Sequence, residues 1–157
     1  MEPPLETLED FIEYTSLVLK HPSDQARARA IITRWGTSWV GKDRTLTSTL
    51  SNHGCYLHFN QSIKGTWCQV FTFHAAHRHG LSLRGPDPDR DRKSHKLRRY
   101  PLDPKALNAI FEAWSAHPEG RPAGLAVEFY LEETPDEVWE ACLQEALQQL
   151  RGGGSEG

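Results

Sequence analysis

The chain has 157 residues, a formal net charge of −3, and 38% hydrophobic and 25% charged residues. It is long enough to bury one core without staples, and no apolar run approaches the ~20 residues that cross a bilayer. The acidic, proline-broken start from Met1 to Glu6 does not read as a secretory signal, and the widely spaced Cys55, Cys68 and Cys142 make no disulfide framework, so a cytoplasmic location is expected.

Thr7 reads as a helix N-cap, followed by Leu8, Phe11, Ile12, Thr15, Val18 and Leu19 at helical spacing. His21-Pro22 ends that helix, because proline lacks a donor and disfavours helix in the residue before it. Ser23 is placed to cap a second helix that buries Ala26, Ala30, Ile31 and Trp35 and stops at Gly36. The period then changes. Thr45–Leu50, Tyr56–Gln61, Trp67–Ala75 and Leu81–Arg84 are short aromatic or β-branched runs, split by Asn52-His53-Gly54, Lys64-Gly65 and His79-Gly80. They predict antiparallel strands joined by tight turns. The run from Trp67 puts Phe71 and Phe73 on one face and Cys68 and Val70 on the other, which marks a central strand that is apolar on both faces.

Asp103-Pro104 opens a further helix with Leu107, Ile110, Phe111 and Trp114 on its buried stripe, and Gly120 and Pro122 end that unit. Leu125, Val127, Phe129 and Leu131 alternate with Ala126, Glu128, Tyr130 and Glu132, the pattern of a half-buried strand. Thr134-Pro135-Asp136-Glu137 has the form of a capping box. It precedes a helix burying Trp139, Cys142, Leu143, Ala146, Leu147 and Leu150. The order predicts one α+β domain over 1–151 with a flexible tail at 152–157. Its sheet is mainly antiparallel with about five strands, and N-terminal, internal and C-terminal helices pack on it.

Two clusters carry the functional expectations. Arg84, Arg90, Arg92, Lys93, Lys96, Arg98 and Arg99 crowd a stretch that also holds Asp87, Asp89 and Asp91. Such a basic loop over 84–99 could contact a phosphate backbone and gain affinity from counterion release, or meet an acidic protein. The pI of about 6.2 weighs against a dedicated nucleic-acid binder. The second cluster is His74, His77 and His79, with His77 and His79 on the same side if the strand continues. His53, His58, Cys55 and Cys68 are near enough in the hairpins to join it. Imidazoles so arranged could hold zinc; otherwise no cofactor is expected.

Other motifs fail on their chemistry. Gly36 to Asp43 matches a phosphate-binding loop until Asp43 stands where Ser or Thr should bind magnesium. Asp87-x-Asp89-x-Asp91 begins like a calcium loop, but Arg92 replaces the glycine and Arg98 the closing glutamate. Pro86-Asp87 followed by Asp91-Arg92-Lys93 has the elements of a nuclease motif crammed into one loop. The leading expectation is a non-catalytic binding or accessory protein working through 84–99, with no membrane role. The alternatives are a metal-dependent enzyme at 74–79 and an interaction or inhibitor module using acidic helices, notably Glu137, Glu140 and Glu145.

Overall fold

The computed structural model describes residues 5–63, 66–85, 104–123 and 126–154. Helices α1 (Leu5–Val18) and α2 (Pro22–Trp39) lead into strands β1 (Arg44–Ser51), β2 (Gly54–Ile63), β3 (Thr66–Ala76) and β4 (Gly80–Arg84). Helix α3 (Pro104–Ser115), strands β5 (Arg121–Ala123) and β6 (Ala126–Tyr130), a 3-10 turn (Leu131–Glu133) and helix α4 (Asp136–Gly154) follow among the described residues. The strands form one antiparallel sheet in the order β1-β2-β3-β4-β6-β5. The fold is α+β.

Strand alternation sends successive side chains to opposite faces. Leu57, Phe73, Leu83 and Phe129 are register partners, so one apolar row crosses four strands. The helices cover this face. Phe73 is stacked by Phe11 at 6.5 Å and by Trp139 at 5.6 Å, while Trp39 meets Phe59 and Phe71 edge-on. The buried indoles of Trp39 and Trp114 donate to the carbonyls of Asn60 and Cys142, both at 2.9 Å. The opposite face carries Tyr56, His74, Ser82 and Tyr130 in one row, and His58, Thr72, Arg84, Glu128 and Arg121 in the next.

Several boundaries differ from the sequence reading. The sheet has a sixth strand, because Arg121–Ala123 pairs with β6 where Gly120 and Pro122 were expected only to end a helix. Helix α1 already includes Leu5 and Glu6, so Thr7 is inside it and not its cap. Helix α2 starts with Pro22 at its first position and His21 as N-cap, which displaces Ser23 from that role. It also runs through Gly36. A Cβ there would lie 2.5 Å from Leu8 Cδ2, so the glycine serves the close approach of α1 rather than ending α2. With Gly36 to Trp39 helical, the phosphate-loop match has no loop.

Strand β3 is interior, but its second face continues as Thr72 and His74 rather than as apolar side chains, while a register shift between Phe59 and Asn60 skips the buried Val70. The capping box does not form: Thr134 Oγ1 has no hydrogen-bond partner and its N–H turns back to Leu131 O. Helix α4 extends to Gly154, into the segment expected as a tail.

Arg27 braces the same turn from the other side, through its carbonyls. Its guanidinium donates to Leu131 O at 3.2 Å, Thr134 O at 2.7 Å and Asp136 Oδ1 at 2.9 Å, tying α2 to the turn before α4. Arg27→Ala removes the Thr134 carbonyl's bond and leaves Leu131 O with the Thr134 N–H alone, and it is expected to cost about 1–3 kcal/mol in urea denaturation. A loss under a few tenths would show that the network is decorative.

Cys142 is buried under α3, and burial pushes its thiol up to about 12; Cys55 is also raised, by burial and then by Asp10. A thiol held neutral in the fold ionises more readily when unfolded. Stability from Cys142 is therefore intact below its ordinary value of 9.0 and is lost as pH climbs towards about 12. In native protein at pH 8, peptide mapping after iodoacetamide treatment should find Cys142 unmodified, and modified only after denaturation.

Candidate metal centre

The β2–β3–β4 meander brings two of the three predicted histidines together. His74 lies on β3, and His79 closes the turn into β4 and folds back over the polar face. His74 Nδ1 and His79 Nε2 are 3.2 Å apart. His77 does not join them. Strand alternation ends at Ala76, and His77 is exposed, its ring 6.3 Å from that of Tyr14. The third member is Glu128 on β6. Among the described residues, His74, His79 and Glu128 offer ligand atoms that all lie within 4.8 Å of one another.

His74 and Glu128 are each held by a second partner, whereas His79 Nδ1 is buried without one. His74 Nε2 lies 3.0 Å from the His53 carbonyl, so this nitrogen carries the proton and donates it. Its Nδ1 is then a bare lone pair, and His79 Nε2–H donates to it. The His53 carbonyl reaches His74 because Gly54 packs against the end of β3: its φ is 131°, and a Cβ there would meet Ala75 O at 2.3 Å and His74 Nε2 at 3.0 Å. Ser82, fully buried, donates its hydroxyl to Glu128 Oε2 at 2.8 Å. Tyr56 stacks flat on His74 at 4.1 Å and Tyr130 stacks on His79 at 5.3 Å, which fixes both rings. Burial lowers the pKa of both histidines, so they are neutral near pH 7; His74 keeps a lone pair on Nδ1, and His79 would offer Nε2 to a ligand once its proton sits on Nδ1.

The other candidates have different roles. His53 contributes its carbonyl, and His58 lies between Thr72 and Thr49 at 3.3 Å from each hydroxyl. Cys55 points to the helix-covered face with Leu57 and Phe59. Arg84 lies 3.5 Å from Glu128 Oε2 with its side chain 42% exposed. Arg90, Arg92, Lys93, Lys96, Arg98 and Arg99 lie outside the described residues, as do the calcium-like and nuclease-like motifs. Among the acidic residues of α4, Glu140 is engaged internally, accepting from Arg34 at 2.8 Å and from Trp35 at 3.1 Å. No helix among the described residues is long and apolar enough to cross a membrane.

Sequence reasoning missed Glu128. It was read as one polar position of an alternating strand, and only the pairing of β4 with β6 carries it to the histidines. Its one local signal is a carboxylate in mid-strand between two core residues, Val127 and Phe129. No family model matches this chain, and neither a curated protein nor a solved structure matches it.

Proposed function

We propose that this protein binds a divalent transition metal, zinc in the first instance, between His74, His79 and Glu128, and uses it as a Lewis-acid centre. The observation that carries this reading is the 3.2 Å spacing of His74 Nδ1 and His79 Nε2. Two nitrogens on one tetrahedral ion, each at 2.0–2.1 Å, are about 3.3 Å apart. The hydrogen bond now joining the rings therefore has the length of a ligand edge, and a metal would replace its proton. Glu128 has to close by at most about 1.5 Å to complete the set, a movement its side-chain torsions supply.

The second partners support the same reading. Ligating histidines usually donate their other N–H to a carbonyl or carboxylate, and ligating carboxylates are themselves hydrogen-bonded. His74 has the His53 carbonyl, and Glu128 has Ser82. Two imidazoles and a carboxylate form the donor set of catalytic zinc sites that keep a fourth position for water or substrate. The bound metal supplies Lewis acidity there; the chain supplies neutral imidazoles, a positioned carboxylate and Arg84 as a nearby cation.

Elemental analysis of protein purified without an affinity tag tests this directly. The expected result is about one zinc, or one other divalent transition metal, per chain after dialysis. Protein that emerges metal-free, and that gains none when titrated with zinc against a chelator, would end the proposal.

A further inference from the structure

Two arginines flank Glu128 on the polar face, and they are held differently. Arg121 is the register partner of Glu128 on β5, and Arg84 is its partner on β4. Arg121 is engaged elsewhere. Its Nε and Nη2 both donate to Glu133 Oε1, at 2.9 and 2.5 Å, and its guanidinium lies 5.1 Å from the centre of the Tyr130 ring. Arg84 is not. Among the described residues its one acceptor is Glu128 Oε2, 3.5 Å from Nη2, a long contact for a hydrogen bond. Its Nε is buried with no acceptor among them. A guanidinium carries five N–H donors in a rigid fork that matches a carboxylate or a phosphate. A buried donor left open in this way is uncommon and points to a group bound from outside.

Glu128 cannot serve two cations equally. Its Oε2 already accepts from the buried Ser82 at 2.8 Å, and a divalent ion between the histidines draws the carboxylate charge to itself. Arg84 then loses its partner. The charges no longer balance either. A divalent ion, one carboxylate, two neutral imidazoles and a guanidinium leave about +2 around the fourth coordination position. A guanidinium beside the ion opposes metal binding, so the metal alone does not account for Arg84. A dianion does, because it neutralises the site and gives the open donors their acceptors.

The reach is adequate. A metal 2.0–2.2 Å from Glu128 Oε2 lies within about 5.7 Å of Arg84 Nη2. An oxyanion with one oxygen on that metal, and a second accepting from the guanidinium at about 2.8 Å, spans this distance.

We infer that the metal site takes a phosphate dianion, the end group of a phosphate monoester, with one oxygen on the metal and another on Arg84; this rests on the metal reading above. Arg84 is then the residue that sets the substrate class. A carboxylate brings a single charge, leaves the site cationic, and binds less well.

Calorimetric titration of inorganic phosphate into zinc-loaded, dialysed protein tests this. The parent should bind one phosphate per chain with a dissociation constant below about 1 mM, and acetate at least about tenfold more weakly. Arg84→Met should weaken phosphate binding at least about tenfold although it tightens zinc, a pair of opposite changes that a structural role does not produce. Arg84→Lys keeps the charge without the fork and should fall between the two. It carries the test if Arg84→Met does not fold. Arg121→Met removes the same charge from the same face and should leave phosphate affinity within about twofold. In cobalt-loaded parent, phosphate should alter the visible absorption of the ion, since an oxygen enters its coordination shell. Three results would each overturn the inference and leave the metal reading standing: no phosphate bound by zinc-loaded parent at about 10 mM, equal phosphate affinity in the parent and Arg84→Met, or acetate as tight as phosphate. Protein that takes up no zinc ends both.

Discussion

Phe73→Ala is expected to lower stability by about 3–5 kcal/mol, the range for deleting a fully buried aromatic side chain from a core that cannot collapse around the hole. The position explains the size. Phe73 is 0% exposed at the middle of β3, with Leu57 and Leu83 as its register partners. Its ring is stacked by Phe11 of α1 and Trp139 of α4, and Phe59 meets it edge-on at 5.3 Å. Those neighbours come from two helices and an adjacent strand, each fixed by further contacts, so none can move in alone. Phe73→Leu keeps most of the volume and should cost much less. Urea titration at pH 7 measures both, and a loss below about 1 kcal/mol for the alanine variant would show that the helix layer is not anchored here.

What could be read from the sequence was whatever a short window contains. Hydrophobic period marked every long element, and tight turns such as Asn52-His53-Gly54 foretold the antiparallel meander. Local signals misled where a distant neighbour decides the outcome. Gly36 looks like a helix stop until Leu8 is seen packed against it, and Thr134 looks like a cap until the preceding 3-10 turn takes its N–H onto Leu131 O. Strand β5 escaped because three residues containing a proline carry no period at all. The candidate site shows the same division. The histidine density at 74–79 was visible, but which histidines converge depends on where the strand ends, and alternation stops before His77. Glu128 reaches them only through the pairing of β4 with β6, strands separated by a whole helix.

That division also fixes how the metal site should respond to substitution. His79→Ala and Glu128→Gln each remove a ligand, and should weaken zinc binding by more than the about 10–100-fold typical of losing a second partner. Ser82→Ala, which only frees the Glu128 carboxylate to turn, should stay within that 10–100-fold range. Arg84→Met should act in the opposite direction. The guanidinium 3.5 Å from Glu128 Oε2 offsets the charge that a cation needs, so its removal should tighten zinc binding. His77→Ala should change nothing, since its ring lies outside the group. Competition against a chromophoric chelator reads all five variants on one scale. Thermal unfolding of the metal-free proteins separates lost ligands from lost structure, and only variants that melt with the parent count. The ordering discriminates between readings: a merely structural polar cluster predicts falls in melting temperature and no graded zinc affinity. Equal affinity for the parent, His79→Ala and Glu128→Gln would mean that zinc binds elsewhere on the chain.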